Sequence, residues 1–336
     1  MRAETRRATR AVVCAAVVVV AGGCQRAATP PAAMPVTTMP SPSPAERGFL
    51  ASVPPLRRLP GRVAWGDFKG RIWVLRDGRR RLVAEKRRAI YLDPSWSPDG
   101  TEIVFRISSG QDSFSDPQGV GLDGIAVVDT RSLLVRHIEP STGGLFPDWS
   151  PVDDRILYSG VDDLSQRLDT VQIMTSRGEQ MPIPGHPGEC GEWSPDATRI
   201  LYCSHDGDGD FEVWVMDANG THARQLTRAE GVSDGAIWSH DGTMIAFSST
   251  RDVDGELYVM SADGSHERRV MRVTHTYEAP SAWIPGLGIV FASSDDAHPV
   301  PDWYSIHPDG SHLRSLPTLR GASSPLDWCC VKGDRG

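Results

Sequence analysis

Short apolar runs separated by polar turns recur along most of the chain and set the expected fold. The runs are rich in β-branched and aromatic residues, and Gly, Pro, Asp or Asn bound them. Such runs are typical of half-buried strands. One strand type appears as Ile103-Val104-Phe105, Ile156-Leu157-Tyr158, Ile200-Leu201-Tyr202, Ile245-Ala246-Phe247 and Ile289-Val290-Phe291. With 33 Gly and 26 Pro, the pattern predicts an all-β chain of many short strands.

Six tryptophans recur at intervals of 53, 44, 45, 45 and 45 residues. A turn sequence such as Ser97-Pro98-Asp99-Gly100 follows several of them, because Pro and Asp favour a tight turn and Gly supplies positive φ. A period near 45 with four short strands per repeat is typical of β-propeller blades. We expect the tryptophans to be core residues of the blades: Trp96, Trp149, Trp193, Trp238, Trp283 and Trp328.

The two ends of the repeat region predict the number of blades. Arg62-Val63-Ala64-Trp65 matches a second strand with no first strand before it, whereas Trp328 lies in a first strand with almost no chain after it. We therefore expect the C-terminal strand to complete the N-terminal blade and close the ring, which leaves no exposed edge. The result is a six-bladed β-propeller of four-stranded antiparallel blades over residues 59–336.

The repeat resembles the WD40-like repeat of TolB, the periplasmic component of the Tol–Pal system. The clearest matches are Trp238-Ser239-His240-Asp241-Gly242 and Glu256-Leu257-Tyr258-Val259-Met260. The resemblance covers the chain beyond residue 58 and implies a propeller located in the cell envelope. TolB carries an α/β domain before its propeller, whereas this chain has only a linker there. Because binding proteins, peptidase side domains and lyases share the repeat, it implies no single activity.

The first 58 residues have the composition of an export and anchoring segment. Arginines precede an apolar stretch, and Ala21-Gly22-Gly23-Cys24 resembles the bacterial lipobox. We expect residues 1–23 to be a lipoprotein signal peptide and Cys24 to be lipidated. Residues 24–58, rich in Pro, Ala, Ser and Thr, would then tether the propeller outside the cytoplasmic membrane. The alternative is an ordinary secretory signal with a free Cys24.

The charge of the chain restricts its partners. Formal net charge is −8, and −11 without residues 1–23, which carry four arginines and one glutamate. Such acidity disfavours nucleic acid and anionic lipid surfaces as ligands of the propeller.

Long connections predict a binding face. The connection 108–124 accounts for the 53-residue interval, and the loops 160–169 and 293–302 are also long. Insertions on one face of a propeller are commonly used for binding, although solvated loops have the same composition. The acidic residues of these loops are Asp112, Asp116, Asp123, Asp162, Asp163, Asp295 and Asp296.

Four carboxylates precede tryptophans and could converge on one mouth of the central channel: Asp93, Asp148, Glu192 and Asp327. Together they could attract a cation or a basic partner, or they could bond to neighbouring backbone. A second candidate is the alternation Asp206, Asp208, Asp210 and Glu212, which is similar to a calcium loop but also to a Gly/Asp-rich hairpin turn. We expect no cofactor, and calcium is the one candidate that the sequence offers.

Cysteines and histidines add further candidates. Cys190 and Cys203 flank a hairpin symmetrically and could form a disulfide outside the cytoplasm, whereas Cys329 and Cys330 stay unassigned. The Gly-x-Ser-x-Gly pattern occurs once, at residues 231–235, directly before the apolar run that ends at Trp238 and not at a strand-to-helix turn, so it predicts no nucleophile elbow. Loop residues that could build a lyase or metal-hydrolase site are His186, Glu189, His275, Tyr277 and Glu278.

These features favour a monomeric, non-catalytic binding module, anchored by lipid to the bacterial membrane, whose partner is an envelope protein, peptide or glycan. The alternative is a divalent-metal-dependent enzyme, lyase-like or hydrolase-like, that acts on an envelope polysaccharide or peptide.

Overall fold

The computed structural model describes residues 54–329 except 57–58, 88, 109–123, 139–143, 164–167, 185, 206–208, 253, 274–275, 296–297 and 323–324. The described strands form six separate antiparallel sheets, one for each blade. A short 3₁₀-helix, Pro317–Leu319, follows the last blade. The all-β, six-bladed architecture expected from the repeat is confirmed.

The blades follow one another in chain order. Blade 1 contains β1 (Arg62–Asp67), β2 (Arg71–Arg76), β3 (Arg79–Glu85) and, from the other end of the chain, β23 (Asp327–Cys329). Blade 2 contains β4 (Ile90–Trp96), β5 (Glu102–Ser108), β6 (Gly124–Asp129) and β7 (Val135–Ile138). Blade 3 contains β8 (Leu145–Trp149), β9 (Arg155–Asp163) and β10 (Leu168–Thr175).

Blade 4 contains β11 (Glu189–Trp193), β12 (Arg199–His205), β13 (Phe211–Asp217) and β14 (Arg224–Gln225). Blade 5 contains β15 (Ser233–Trp238), β16 (Met244–Ser249), β17 (Glu256–Ser261) and β18 (Arg268–Arg269). Blade 6 contains β19 (Tyr277–Ile284), β20 (Gly288–Asp295), β21 (His298–Ile306) and β22 (Arg314–Ser315).

The ring closes as the sequence predicts. Strand β23 pairs antiparallel with β1, with Val63 opposite Trp328 and Ala64 opposite Asp327. The innermost strands β4, β8, β11, β15, β19 and β23 contact one another in turn around the ring. All six blades and the closing pair therefore lie within residues 54–329, so this part of the chain contains its own core.

Blade 3 has three strands where the repeat predicts four. Among the residues that the structure describes, the segment after β10 makes only two isolated bridges, Met174 with Gln180 and Thr170 with Pro187. Its sequence contains prolines at 182, 184 and 187. Because proline has no N–H to donate, this segment cannot continue the ladder.

Each blade has two ends, which we name by their connections. The turn face holds the turns from first to second and from third to fourth strands; the loop face holds the other connections. At the turn face Asp196 Oδ1 accepts hydrogen bonds from the hydroxyls of Ser194, at 2.6 Å, and Thr198, at 2.8 Å. The same bonds recur around Asp99 and Asp241, so the repeated Ser-x-Asp sequence builds the turn through its side chains.

Apolar cores lie between neighbouring blades. For example, Leu201 and Val215 of blade 4 pack with Trp238 and Phe247 of blade 5. The four tryptophans of blades 2 to 5 are buried, whereas Trp283 and Trp328 are only partly buried. Arginines that begin second strands cover some of these rings: Arg155 lies 4.5 Å from the Trp193 centroid and Arg199 lies 4.4 Å from the Trp238 centroid. Among the described residues, no helix is long and apolar enough to cross a membrane.

Candidate functional site

A β-bulge in the innermost strands determines where the side chains next to the ring axis point. In blades 2 to 5 the strand register shifts between the residues four and one positions before the tryptophan. The residue three positions before it has positive φ in each case: 50° at Asp93, 50° at Phe146, 58° at Cys190 and 58° at Gly235. One extra residue resets the alternation of faces and turns the residue before the tryptophan towards the next blade.

Carboxylates at this position link neighbouring blades. Asp148 accepts a hydrogen bond from the Trp193 amide at 2.8 Å through Oδ2 and one from the Ser95 hydroxyl at 2.9 Å through Oδ1. Asp327 Oδ2 accepts a hydrogen bond from the Trp96 amide at 2.6 Å. Each carboxylate therefore satisfies a backbone donor of the following blade, which stabilises the ring.

Ser95 and Glu192 complete this row of side chains. The Ser95 hydroxyl accepts a hydrogen bond from the Trp149 amide at 2.9 Å, and Glu192 receives the Trp238 amide. Ser95 holds the position in blade 2 that a carboxylate holds in blade 3, but a search for acids misses it. Its place directly before a repeated tryptophan is the feature that could have revealed it. We call Ser95, Asp148, Glu192 and Asp327 the axial row.

Burial makes the acids of the axial row weak. It raises the pKa of Asp148 to about 6 and that of Asp327 to about 7. It also raises the pKa of Glu192 well above the usual range, and the nearby charge of Asp148 adds to this. Glu192 Oε2 is a buried atom with no hydrogen-bond partner among the described residues. The charge of Asp148 also disfavours ionisation of Glu192 and Asp327, so the three acids are electrostatically coupled.

Asp93 occupies a different place from the other three acids. Asp93 is the residue with positive φ at the bulge. It lies next to Leu92, which pairs with Arg106 on the neighbouring strand, so the charge of Arg106 acts on it. Burial raises its pKa to about 6, while the positive charge of Arg106 opposes the shift. The corresponding pair in blade 4 is Cys190 and Cys203. Asp93 therefore does not share the inter-blade bonding of the axial row.

The two blade-4 cysteines lie side by side as thiols. A hydrogen bond with Cys203, together with burial, raises the pKa of Cys190 well above its usual value. Such a thiol is a poor nucleophile. A disulfide between the two remains a prediction.

Near the loop-face end of the innermost strands, Tyr277 links two blades. Its hydroxyl donates to Asp234 Oδ1 of blade 5 at 2.9 Å. Glu189 and Asp234 both act electrostatically on Cys190, so they lie on the same side of the ring. At the opposite end, the His240 ring meets Trp328 edge-on at 5.7 Å between centroids. These two rings belong to blades 5 and 1 and meet at the turn face.

Glu278 is fully buried next to Tyr277, and its carboxyl group is strongly perturbed. Burial raises its pKa to about 8, and a hydrogen bond from Thr276 opposes the shift only in part. Its Oε1 also accepts from the Ser293 hydroxyl at 3.4 Å, while Oε2 is buried without a described partner. Glu278 is therefore a neutral acid at pH 7 and not a surface ligand.

The remaining candidates are not brought together. His186 Nε2 lies 2.6 Å from the carbonyl oxygen of Gly220, in the outer turn of blade 4, and its ring contacts Tyr202. Asp210 and Glu212 bind the backbone that leads into blade 5, accepting from Gly231 N at 3.2 Å and Ala229 N at 2.9 Å. Cys24, Asp206, Asp208, His275 and Cys330 lie outside the described residues. In the part of the chain that the structure describes, no three His, Cys, Asp or Glu side chains group closely enough to hold a metal ion.

Comparison with known proteins places this repeat in a family. The model of the TolB beta propeller domain matches residues 125–325, which is more than half of the chain. The chain belongs to the TolB β-propeller family. An uncharacterized protein of Agrobacterium fabrum is 26% identical over 182 residues, which are 52% of this chain and 55% of the relative. The chain thus spans about half the length of that curated relative.

Two TolB structures share the fold. A protein described as TolB from Agrobacterium tumefaciens superposes with a TM-score of 0.61 at 19% identity, over 81% of this chain and 99% of its own. TolB from Acinetobacter baumannii superposes with a TM-score of 0.65 at 18% identity, over 80% of this chain and 66% of its own. At such identities the TolB likeness establishes the propeller architecture alone.

Proposed function

We propose that this TolB-family propeller is a binding module of the bacterial cell envelope, tethered through a lipid on Cys24, and that its loop face recognises a protein, peptide or glycan partner. The observation that carries the proposal is the length of two hairpins. Strands β9 and β10 contain nine and eight residues, and β20 and β21 contain eight and nine. The equivalent strands β16 and β17 contain six each.

These two hairpins project from the loop face. Their turn-face ends are in register with blade 5, because Ile156, Ile245 and Ile289 are each the second residue of equivalent strands. The extra two to three residues therefore lie at the loop-face end and extend it by roughly 7–10 Å. Longer connections on one face of a scaffold commonly carry binding residues, so these extensions favour a role in recognition.

The projecting hairpins carry acid. Asp162 and Asp163 end β9, and Asp295 ends β20 with Asp296 after it. Consecutive aspartates at the ends of these strands in the sequence favour a partner with basic or hydrogen-bond-donating groups. The aspartates give both hairpins a negative charge, although one hairpin lies in blade 3 and the other in blade 6.

Neutralising each hairpin tip tests the proposal. We expect D162N/D163N and D295N/D296N to reduce the crosslinked recovery of one envelope partner from intact cells by about tenfold, since charge complementarity sets the encounter rate. The matched control is D77N/E179Q, which removes two exposed carboxylates of the turn face. Equal recovery with all three variants and the unaltered protein would exclude the loop-face hairpins as the binding surface.

The lipid anchor has a separate test. Cys24→Ser removes the thiol that would be acylated, and with it the multiple acyl chains that are needed for stable anchoring. The protein should then move to the soluble fraction when membranes are washed with high salt, which screens electrostatic contacts with lipid. Fractionation followed by immunoblotting measures this. A Cys14→Ser variant, which changes the other cysteine of the N-terminal segment, should stay with the membrane. Continued membrane association of Cys24→Ser would contradict the anchor.

A further inference from the structure

A cleft on the turn face is lined by arginines, although the chain as a whole is acidic. It lies between blades 1 and 2 and encloses about 840 Å³. Two aspartates, at 77 and 99, also line it. The arginines are Arg62, Arg76, Arg79, Arg80, Arg81 and Arg131. We call this the arginine cleft.

The positive charge of the cleft is part of a strong asymmetry along the chain. Residues 57–88 contain twelve Lys and Arg against three Asp and Glu, whereas the whole chain has 35 against 43. Net charge alone disfavours anionic lipids as ligands, but the charge is concentrated in blade 1 and its approach. The local field at this blade is therefore positive although the molecule is negative.

The two aspartates do not neutralise the cleft. Asp99 is occupied within its own turn, accepting hydrogen bonds from Ser97 and Thr101 at 2.7 and 2.8 Å. Asp77 lies 3.4 Å from Arg76 in a pair in which both side chains are largely exposed. An exposed pair of this kind is weak and exchanges readily for a better ligand.

Arg80 already donates to the Thr318 and Arg320 carbonyls, so the other arginines of the cleft are the ones that offer donors to a ligand. Arg62 Nη1 donates to the Gly100 carbonyl at 3.0 Å, but its Nε is buried without a partner among the described residues. Arg79 and Arg81 are exposed and lie on the same side of β3 as the buried Val83, while Arg80 points the other way, over Trp65. Guanidinium groups bind phosphate oxygens in a bidentate manner. Val74 and Val83 give this cationic rim an apolar floor.

The first described residues lie at the same face. Pro55 forms a parallel bridge with Ser315 of β22, and Leu56 N donates to Ser315 O at 2.8 Å. Strand β22 runs away from the turn between the third and fourth strands of blade 6, so a segment parallel to it also starts near the turn face. Pro54 is therefore on the turn-face side, and the chain enters blade 6, next to blade 1, from that side.

We propose that the arginine cleft binds phosphate headgroups of an anionic lipid bilayer, so that the turn face lies against the membrane and the acidic loop face points away from it. The proposal deepens the tethered role put forward above and rests on it for its location. Acidic hairpins and an arginine-lined cleft at opposite ends of the ring suit such an orientation, since one face is attracted to the lipid surface and the other is repelled by it.

Vesicle binding tests the proposal on a chain of residues 54–336, which contains all six blades and lacks Cys24. Co-sedimentation compares vesicles of equal parts phosphatidylglycerol and phosphatidylcholine with vesicles of phosphatidylcholine alone. We expect at least about tenfold tighter binding to the anionic vesicles, and an equally large loss in R79E/R81E. The matched control R228E/R268E reverses two exposed arginines outside the cleft and should change binding by less than about twofold.

Two results would overturn the proposal. One is equal binding of the unaltered chain and R79E/R81E to anionic vesicles, with thermal unfolding showing both to be folded. The other is saturable binding of inorganic phosphate, measured by calorimetry, without any preference for anionic vesicles, which would assign the cleft to a soluble phosphate ligand. Because this chain lacks Cys24, failure of the anchor in cell fractionation leaves the vesicle result unaffected, and the two failures are distinguishable.

Discussion

At the residue scale, the buried acids of the ring are held in an environment that favours their neutral form. Asp148, Asp327 and Glu278 have pKa values raised by burial to about 6, 7 and 8. Each accepts hydrogen bonds from neighbouring donors, but none has an arginine or lysine as its principal partner. Desolvation therefore outweighs hydrogen bonding, and the fold holds protons that an unfolded chain releases at the same pH.

This proton uptake predicts how stability depends on pH. Below the ordinary carboxyl pKa both states are protonated, so the stability from these neutral acids is fully present; it is lost as pH rises through the folded values. We expect the free energy of unfolding to fall by on the order of 5 kcal/mol between about pH 5 and about pH 8, because each unit by which a folded pKa is raised contributes about 1.4 kcal/mol. Urea unfolding at both pH values measures the change.

Substitution of Glu278 identifies the source of the dependence. Gln resembles the neutral acid in shape and cannot ionise, so Glu278→Gln should reduce the fall with pH. An exposed acid provides the control, because Asp154→Asn should leave the slope unchanged. A protein equally stable across the range, or one whose slope Glu278→Gln does not alter, would contradict this account of the buried acids.

At the element scale, β23 is the strand on which ring closure depends. It supplies Asp327, which bonds the Trp96 amide, and Trp328, whose indole donates to the Pro60 carbonyl at 2.9 Å. A chain that ends at residue 324 should lose at least about 3 kcal/mol of unfolding free energy, because a buried donor and the edge of β1 lose their partners. Thermal unfolding measures this loss, with a chain that ends at residue 330 as the control. Equal stability of the two chains would contradict closure through β23.

The same scale shows what the sequence can predict. Tryptophan spacing and the Ser-x-Asp turns are local and repeated, so they are enough to predict the blades, their number and the closing pair. Blade 3 has no described fourth strand because Pro182, Pro184 and Pro187 lack the N–H that a ladder needs. The spacing of the tryptophans does not reveal this difference. The segments 160–169 and 293–302 have loop-like composition, yet β9–β10 and β20–β21 continue through much of them, since cross-strand pairing overrides weak local preference.

Candidate site residues are harder to predict because their contacts cross between blades. The sequence groups four carboxylates that precede tryptophans. Asp148, Glu192 and Asp327 lie in the axial row, whereas Asp93 lies at the bulge, two positions before Ser95 of that row. A one-residue bulge changes which way a side chain points, and sequence period alone does not reveal it. Glu278 likewise has the position of a loop residue in the sequence but is fully buried in the fold.

At the scale of the whole molecule, the two faces of the ring differ in charge and in shape. The turn face holds the arginine cleft and the entry of the chain, while two hairpins with acidic tips extend the loop face. A binding propeller needs one face available to its partner, and the proposed contact of the other face with lipid would keep it so. Contact of the turn face with lipid would then orient the loop face towards its partner.

Site-specific photocrosslinking in intact cells tests this arrangement most directly. A photoreactive amino acid is placed at Asp77 beside the arginine cleft or at Val300 near the loop-face end of β21 in the full chain, and the adducts are identified by mass spectrometry. We expect position 77 to crosslink mainly to phospholipid and position 300 to give one discrete protein adduct. A protein adduct at position 77 together with lipid adducts at position 300 would contradict the proposed orientation and the loop-face binding site.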